Sequence, residues 1–207
     1  MNATKFLIGA ISVAAALAAG KADAQNLETM YSNIIPGLDV QGTVTDGEYT
    51  NFRTGVMLFP DFHAFCVQPE ERLEFNDPVV YQAQEIGLVT NHAQVSLLVG
   101  GYIASLGTDE NAAAVQWAIW EVTTEKNNMT PWSLLDGNVR ISTPLNQATA
   151  DLANQYLANM NGYTPATLTY LANEGRQDVV TWNLIPEPGS AGLAVLSALL
   201  LASRRRR

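Results

Sequence analysis

The chain has 207 residues, of which 11 are Lys or Arg and 20 are Asp or Glu, for a net charge of −9. Between positions 25 and 185 the imbalance deepens to 5 basic against 18 acidic residues, net −13, which argues against binding nucleic acid phosphates or anionic lipid through basic patches. A single cysteine, Cys66, excludes an internal disulfide, yet a stretch the size of one ordinary domain can bury a sizeable core without one.

In chain order, residues 1–24 carry Lys5, an apolar run from Phe6 to Ala19, and the small-residue triplet Ala22-Asp23-Ala24. That layout predicts a secretory signal peptide cut after Ala24. The apolar run falls short of a membrane span of about 20 residues, which weighs against an N-terminal anchor. Residues 25–185 are then expected to form the mature domain. "LDVQGTVT" (Leu38 to Thr45) alternates with period two and reads as a strand, followed by a turn at Asp46 to Tyr49. "NFRTGVMLF" and "FHAFCV" predict two more strands separated by Pro60-Asp61, and Pro69 stops the strand that carries Cys66.

Helical signals follow. From Asn91 to Gly107 the apolar stripe is Val95, Leu98, Val99, Tyr102, Ile103 and Leu106. Thr108 is the expected N-cap of the next helix, with acidic residues in its first turn and an apolar face of Ala112, Val115, Ile119 and Val122. A third helix is expected from Pro144 to about Asn161, with Gly162 past its end. "ATLTYLA" and "QDVVTWNLI" return to strand. This order predicts an α+β domain, a β-sandwich or barrel-like scaffold with a helical insertion that carries the glutamine motif around Gln116.

Residues 186–207 have three parts: Pro186-Glu187-Pro188, an uncharged run from Gly189 to Ala202, and Arg204, Arg205, Arg206 and Arg207. Such a run would insert as a short helix with its arginines on the cytoplasmic side. The arrangement resembles the PEP-CTERM sorting tail of Gram-negative bacteria. The resemblance implies processing by signal peptidase and an exosortase, a transient membrane-anchored stage, and a final place at the cell envelope, outer surface or extracellular matrix. A plain C-terminal anchor is the alternative.

Cys66 admits several roles. A free cysteine packs well as a small buried hydrophobe, and an unpaired one in an exported chain permits an intermolecular disulfide. A catalytic thiol needs a base, and positions 25–185 offer only His63 and His92. His63, three positions earlier on a strand, falls on the opposite face. A fourth role involves "AAAVQWAIWEVT" (Ala112 to Thr123), where helical spacing puts Gln116 on one face with Ala112, Ala113 and Trp120. By itself such a glutamine reads as a satisfied core amide.

Together, Phe65-Cys66-Val67-Gln68-Pro69 and Gln116-Trp117-Ala118-Ile119-Trp120 resemble the two motifs of the thioester domains of bacterial surface adhesins. "GGYIASLG" (Gly100 to Gly107) is similar to that family's helix just upstream of the glutamine. The resemblance covers roughly Phe65 to Thr124 and implies an internal Cys66–Gln116 thioester with Phe65, Pro69, Ala113, Trp117 and Trp120 around it. Most members sit on Gram-positive cells with a different anchor, so host-cell attachment does not carry over. Complement-like thioesters, with cysteine and glutamine three residues apart, do not match.

The implied chemistry is a single covalent capture rather than enzymatic turnover. The Cys66 sulfur displaces ammonia from Gln116; an amine or hydroxyl on a protein or polysaccharide of the surface or biofilm matrix then takes the acyl group. An apolar collar should keep water from the thioester. A bond across 50 positions would also stabilise the fold, by about 4 kcal/mol on loop-entropy grounds. The alternative is a non-covalent glycan-binding or structural matrix protein, with Cys66 a buried thiol or the cross-link purely stabilising. No cofactor or metal is expected: "DGEYTN" and "TDEN" lack the spaced ligands of a calcium loop, and His63 and His92 make no metal cluster. "QPEER" reads as a solvated loop beside Cys66, and Trp117, Trp132 and Trp182 as packing residues.

Overall fold

The computed structural model describes residues 26–44, 50–76, 78–105, 108–125 and 131–182. The signal-peptide stretch, the Asp46–Tyr49 turn and the tail from Pro186 to Arg207 lie outside these residues. The fold is α+β, with a large antiparallel sheet and three α-helices. The strands are β1 (Asn26–Met30), β2 (Asn33–Thr43), β3 (Thr50–Leu58), β4 (His63–Cys66), β5 (Pro78–Gln84), β6 (Arg140–Ile141), β7 (Thr169–Ala172) and β8 (Val179–Thr181). They run across the sheet in the order β1-β5-β7-β8-β4-β3-β2-β6. The helices α1 (His92–Ala104), α2 (Asp109–Thr124) and α3 (Gln147–Asn159) fall in the chain between β5 and β7.

The alternating segment from Leu38 falls in β2, which makes the longest pairing with β3, from Asn33↔Leu58 to Gly42↔Thr50. Its register shifts between Pro36 and Leu38, where Gly37 takes a φ of 69° that a side chain would resist. Short β4 joins the two halves of the sheet. It pairs with β3 through Met57↔Ala64 and Leu58↔His63, and with β8 through Ala64↔Thr181, Phe65↔Val180 and Cys66↔Val179.

Thr108 caps α2 by accepting from the Asn111 amide, with Asp109 and Glu110 in the first turn. The expected apolar face of α2 is buried, but so is every residue from Ala112 to Val122. Strands β2, β3 and β4 touch this helix, and so do α1 and α3; a helix enclosed in this way has no face to spare for water. On α1 the buried positions are Val95, Leu98, Val99 and Gly101, whereas Ile103, expected in the stripe, is 44% exposed. The third helix begins at Gln147 rather than Pro144. The Asn146 carboxamide oxygen accepts from the Gln41 amide of β2, which pins the turn to the sheet and delays the helix.

Among the described residues no helix is long and apolar enough to cross a membrane.

Candidate functional site

Cys66 ends β4 at a place where one edge of the strand has lost its neighbour. Its register partner Val179 lies on β8, while the β3 pairing extends no further than Ala64. A strand residue presents its N–H and C=O to the same side, and both must be satisfied when buried. Gln116, from the middle of α2, supplies the missing partner. Its Oε1 accepts from the Cys66 N–H at 3.0 Å, and its Nε2 donates to the Cys66 carbonyl at 2.8 Å. Both residues are 2% exposed. The carboxamide thus docks on the backbone of the residue with which the motif resemblance pairs it.

The sulfur has its own partners. The Trp120 indole N–H donates to Sγ at 3.3 Å, and the Gln68 main-chain N–H donates to it at 3.3 Å. Burial pushes the thiol up to about 12; these two donors work in the opposite direction, and the carboxylates of Glu70 and Asp178 add to the rise. That rise favours the neutral thiol over the thiolate wherever the sulfur is free.

Cys66, Gln116, Trp120 and Pro69 line one cleft of about 400 Å³. Its wall also includes Arg53, Glu74 and Phe75, which are exposed, so the cleft runs from the buried thiol to the surface. Glu71 and Arg72 of the "QPEER" segment line it too, so that segment forms part of the approach to Cys66. Phe75 is stacked on Tyr31 at 4.8 Å, with the Arg53 guanidinium over its ring at 5.7 Å. Phe75 is thus held by Tyr31 and Arg53 as part of the cleft wall.

The remaining residues of the expected site do not line the cleft. Phe65 stacks on Trp182 at 5.3 Å and meets the edge of Tyr102 at 5.2 Å. Ala113 is fully buried in α2. Trp117 packs edge-on against Phe52 at 5.4 Å and Trp120 at 5.1 Å, holding the Trp120 ring from behind. His63 and His92 are exposed and lie outside the lining. Arg53, Phe75 and Tyr31 were not singled out from sequence; their place depends on distant strands, and no local pattern marks them.

A second polar cluster lies further along α2. Glu121 Oε1 accepts from the Ser133 amide at 2.9 Å, and Glu125 Oε2 from the Asn138 amide at 2.7 Å. These two carboxylates clamp the 131–139 segment to the helix. Burial pushes Glu121 up to about 8, against the Ser133 hydrogen bond and with some help from the Glu125 charge.

No family model matches the chain, and no curated protein or solved structure matches it.

Proposed function

We propose that Cys66 and Gln116 close an internal thioester that captures a nucleophile-bearing partner covalently. The observation that carries this reading is the two-point docking of the Gln116 carboxamide on Cys66 within a cleft that reaches the surface. For closure, the Cys66 thiolate attacks the Gln116 side-chain carbonyl carbon. The C–Nε2 bond breaks, and ammonia leaves with the proton that the thiol gave up. The Cys66 N–H, already on Oε1, is placed to stabilise the oxyanion, while the Cys66 carbonyl orients the departing nitrogen. In transfer, an amine or hydroxyl adds to the same carbon and the sulfur leaves as a thiol, giving an amide or ester on Gln116. The group is spent once, so the protein is a covalent binder and not an enzyme.

In this reading the sheet acts as a sandwich-like or barrel-like scaffold, and α1 and α2 form the insertion that delivers Gln116. The protein is exported, its sorting tail is processed by an exosortase, and its targets are proteins or polysaccharides of the surface or biofilm matrix. A structural alternative has its own support. The same carboxamide fully satisfies the Cys66 backbone, which a non-reactive core amide would also do. Intact mass of freshly purified protein, with and without methylamine and beside Cys66→Ala, decides between them. The thioester predicts a mass short by one ammonia and methylamine incorporated on Gln116; a full mass with a free thiol leaves only the structural role.

A further inference from the structure

We propose that Trp120 is a catalytic residue of this acyl transfer. Its indole N–H, together with the Gln68 main-chain N–H, forms a two-donor cradle that holds negative charge on Cys66 Sγ. This role rests on the thioester reading above.

The chemistry creates a charge problem at the sulfur twice. During closure Sγ must lose its proton before attacking the Gln116 carbonyl; during transfer Sγ leaves that carbon carrying the electron pair of the broken C–S bond. The atoms balance in each direction: thiol and carboxamide give thioester and ammonia, then thioester and amine give amide and thiol. In both steps the transition state puts charge on the sulfur of a residue that is 2% exposed, where water solvates it poorly. The carboxylates of Glu70 and Asp178 make that charge harder to bear. Something inside the site must offset it.

The two donors are the groups aimed at Sγ, each at 3.3 Å. Both are held in place before any reaction. The Trp120 ring is fixed by Phe52 at 5.5 Å and Trp117 at 5.1 Å, which sets the direction of its N–H. The Gln68 amide belongs to a turn in which the Glu71 N–H donates to the Gln68 carbonyl. Donors placed in advance need no reorganisation as charge develops. Packing alone does not account for the indole contact. Trp117, more deeply buried on the same helix, has an indole nitrogen without a hydrogen-bond partner among the described residues.

Trp120→Phe keeps the aromatic packing and deletes one donor; Gln68→Pro deletes the other without touching that packing. Thermal midpoints check that each variant is folded. In Trp120→Phe, thioester closure and methylamine transfer should each slow by about ten- to a hundredfold; sulfur is a weak acceptor, so the effect falls at or below that of a lost oxyanion donor. Gln68→Pro should slow both steps in the same direction. A separate readout uses methylamine-quenched protein, whose thiol is free. Its pH profile of alkylation should move to higher pH in Trp120→Phe, a shift that a packing role would not produce. A wild-type thioester with unaltered kinetics and alkylation profile in folded Trp120→Phe overturns the role of Trp120 alone. A wild-type chain of full unmodified mass overturns the thioester reading and this role with it.

Discussion

The side chain of Gln116 takes the place of a strand beside Cys66, meeting its N–H at 3.0 Å and its carbonyl at 2.8 Å. A helix residue thereby completes the hydrogen bonding of a sheet residue 50 positions earlier. The two motifs are therefore coupled structurally whether or not a covalent bond joins them.

Gln116→Leu should lower stability by about 2–4 kcal/mol, because it leaves a buried N–H and a buried C=O unsatisfied. Measured against the free-thiol form of the wild-type protein, which has no cross-link to lose, Cys66→Ala keeps that amide pair and should cost only about 1–2 kcal/mol, the loss of a small buried group. Urea denaturation of both variants makes the comparison. Equal losses would mean that the carboxamide is not what closes this edge of β4.

Phe65→Leu should destabilise the domain by about 1–2 kcal/mol by opening the stack with Trp182 and Tyr102. Methylamine incorporation by the folded variant should match wild type, since Phe65 lies outside the cleft lining. A large fall in incorporation at full folding would instead place Phe65 in the reactive environment.

Gly42→Ala should disturb the site from the sheet. A Cβ there would collide with the Trp117 ring and the Arg140 carbonyl, and Trp117 holds Trp120. The expected cost is about 2–3 kcal/mol from overpacking, together with slower methylamine incorporation. Wild-type stability and rate would show that Trp117 can move without consequence.

Glu121 gives the fold a pH dependence. Its pKa rises from 4.5 to about 8 on folding, mainly through burial, so the folded state binds the proton more tightly than the unfolded chain. That contribution is fully present below about pH 4.5 and is lost as pH rises through about 8. Glu121→Gln keeps an oxygen for the Ser133 amide and cannot ionise. It should flatten the fall in melting temperature between pH 5 and 8.5 and raise the midpoint at pH 8.5 by a few degrees, about 2–5 °C. Parallel pH profiles for the two proteins would contradict a buried, proton-binding Glu121.

Much of the fold could be read from local pattern. The period-two run from Leu38 in β2, the Pro60-Asp61 break before β4, and the Thr108 cap of α2 are short-range effects of side-chain alternation, proline geometry and capping. β1, β5 and β6 left no such trace. Their pairings are fixed by distant partners, as in Leu27↔Tyr81 and Gly42↔Ile141. The delayed start of α3 likewise depends on Asn146 reaching the Gln41 amide across the fold.

The site divides in the same way. The two motifs bring out Cys66 and Gln116, and helical spacing puts Trp120 one turn beyond the glutamine, because residue type and interval are local properties. Which atoms face one another depends on strand pairing and helix docking. β3 parts from β4 before Cys66, the enclosed α2 presents Gln116 to the gap, and Phe52 and Trp117 turn an indole nitrogen onto the sulfur. Those contacts join segments far apart in the chain, and only burial and backbone hydrogen-bond satisfaction in three dimensions select them.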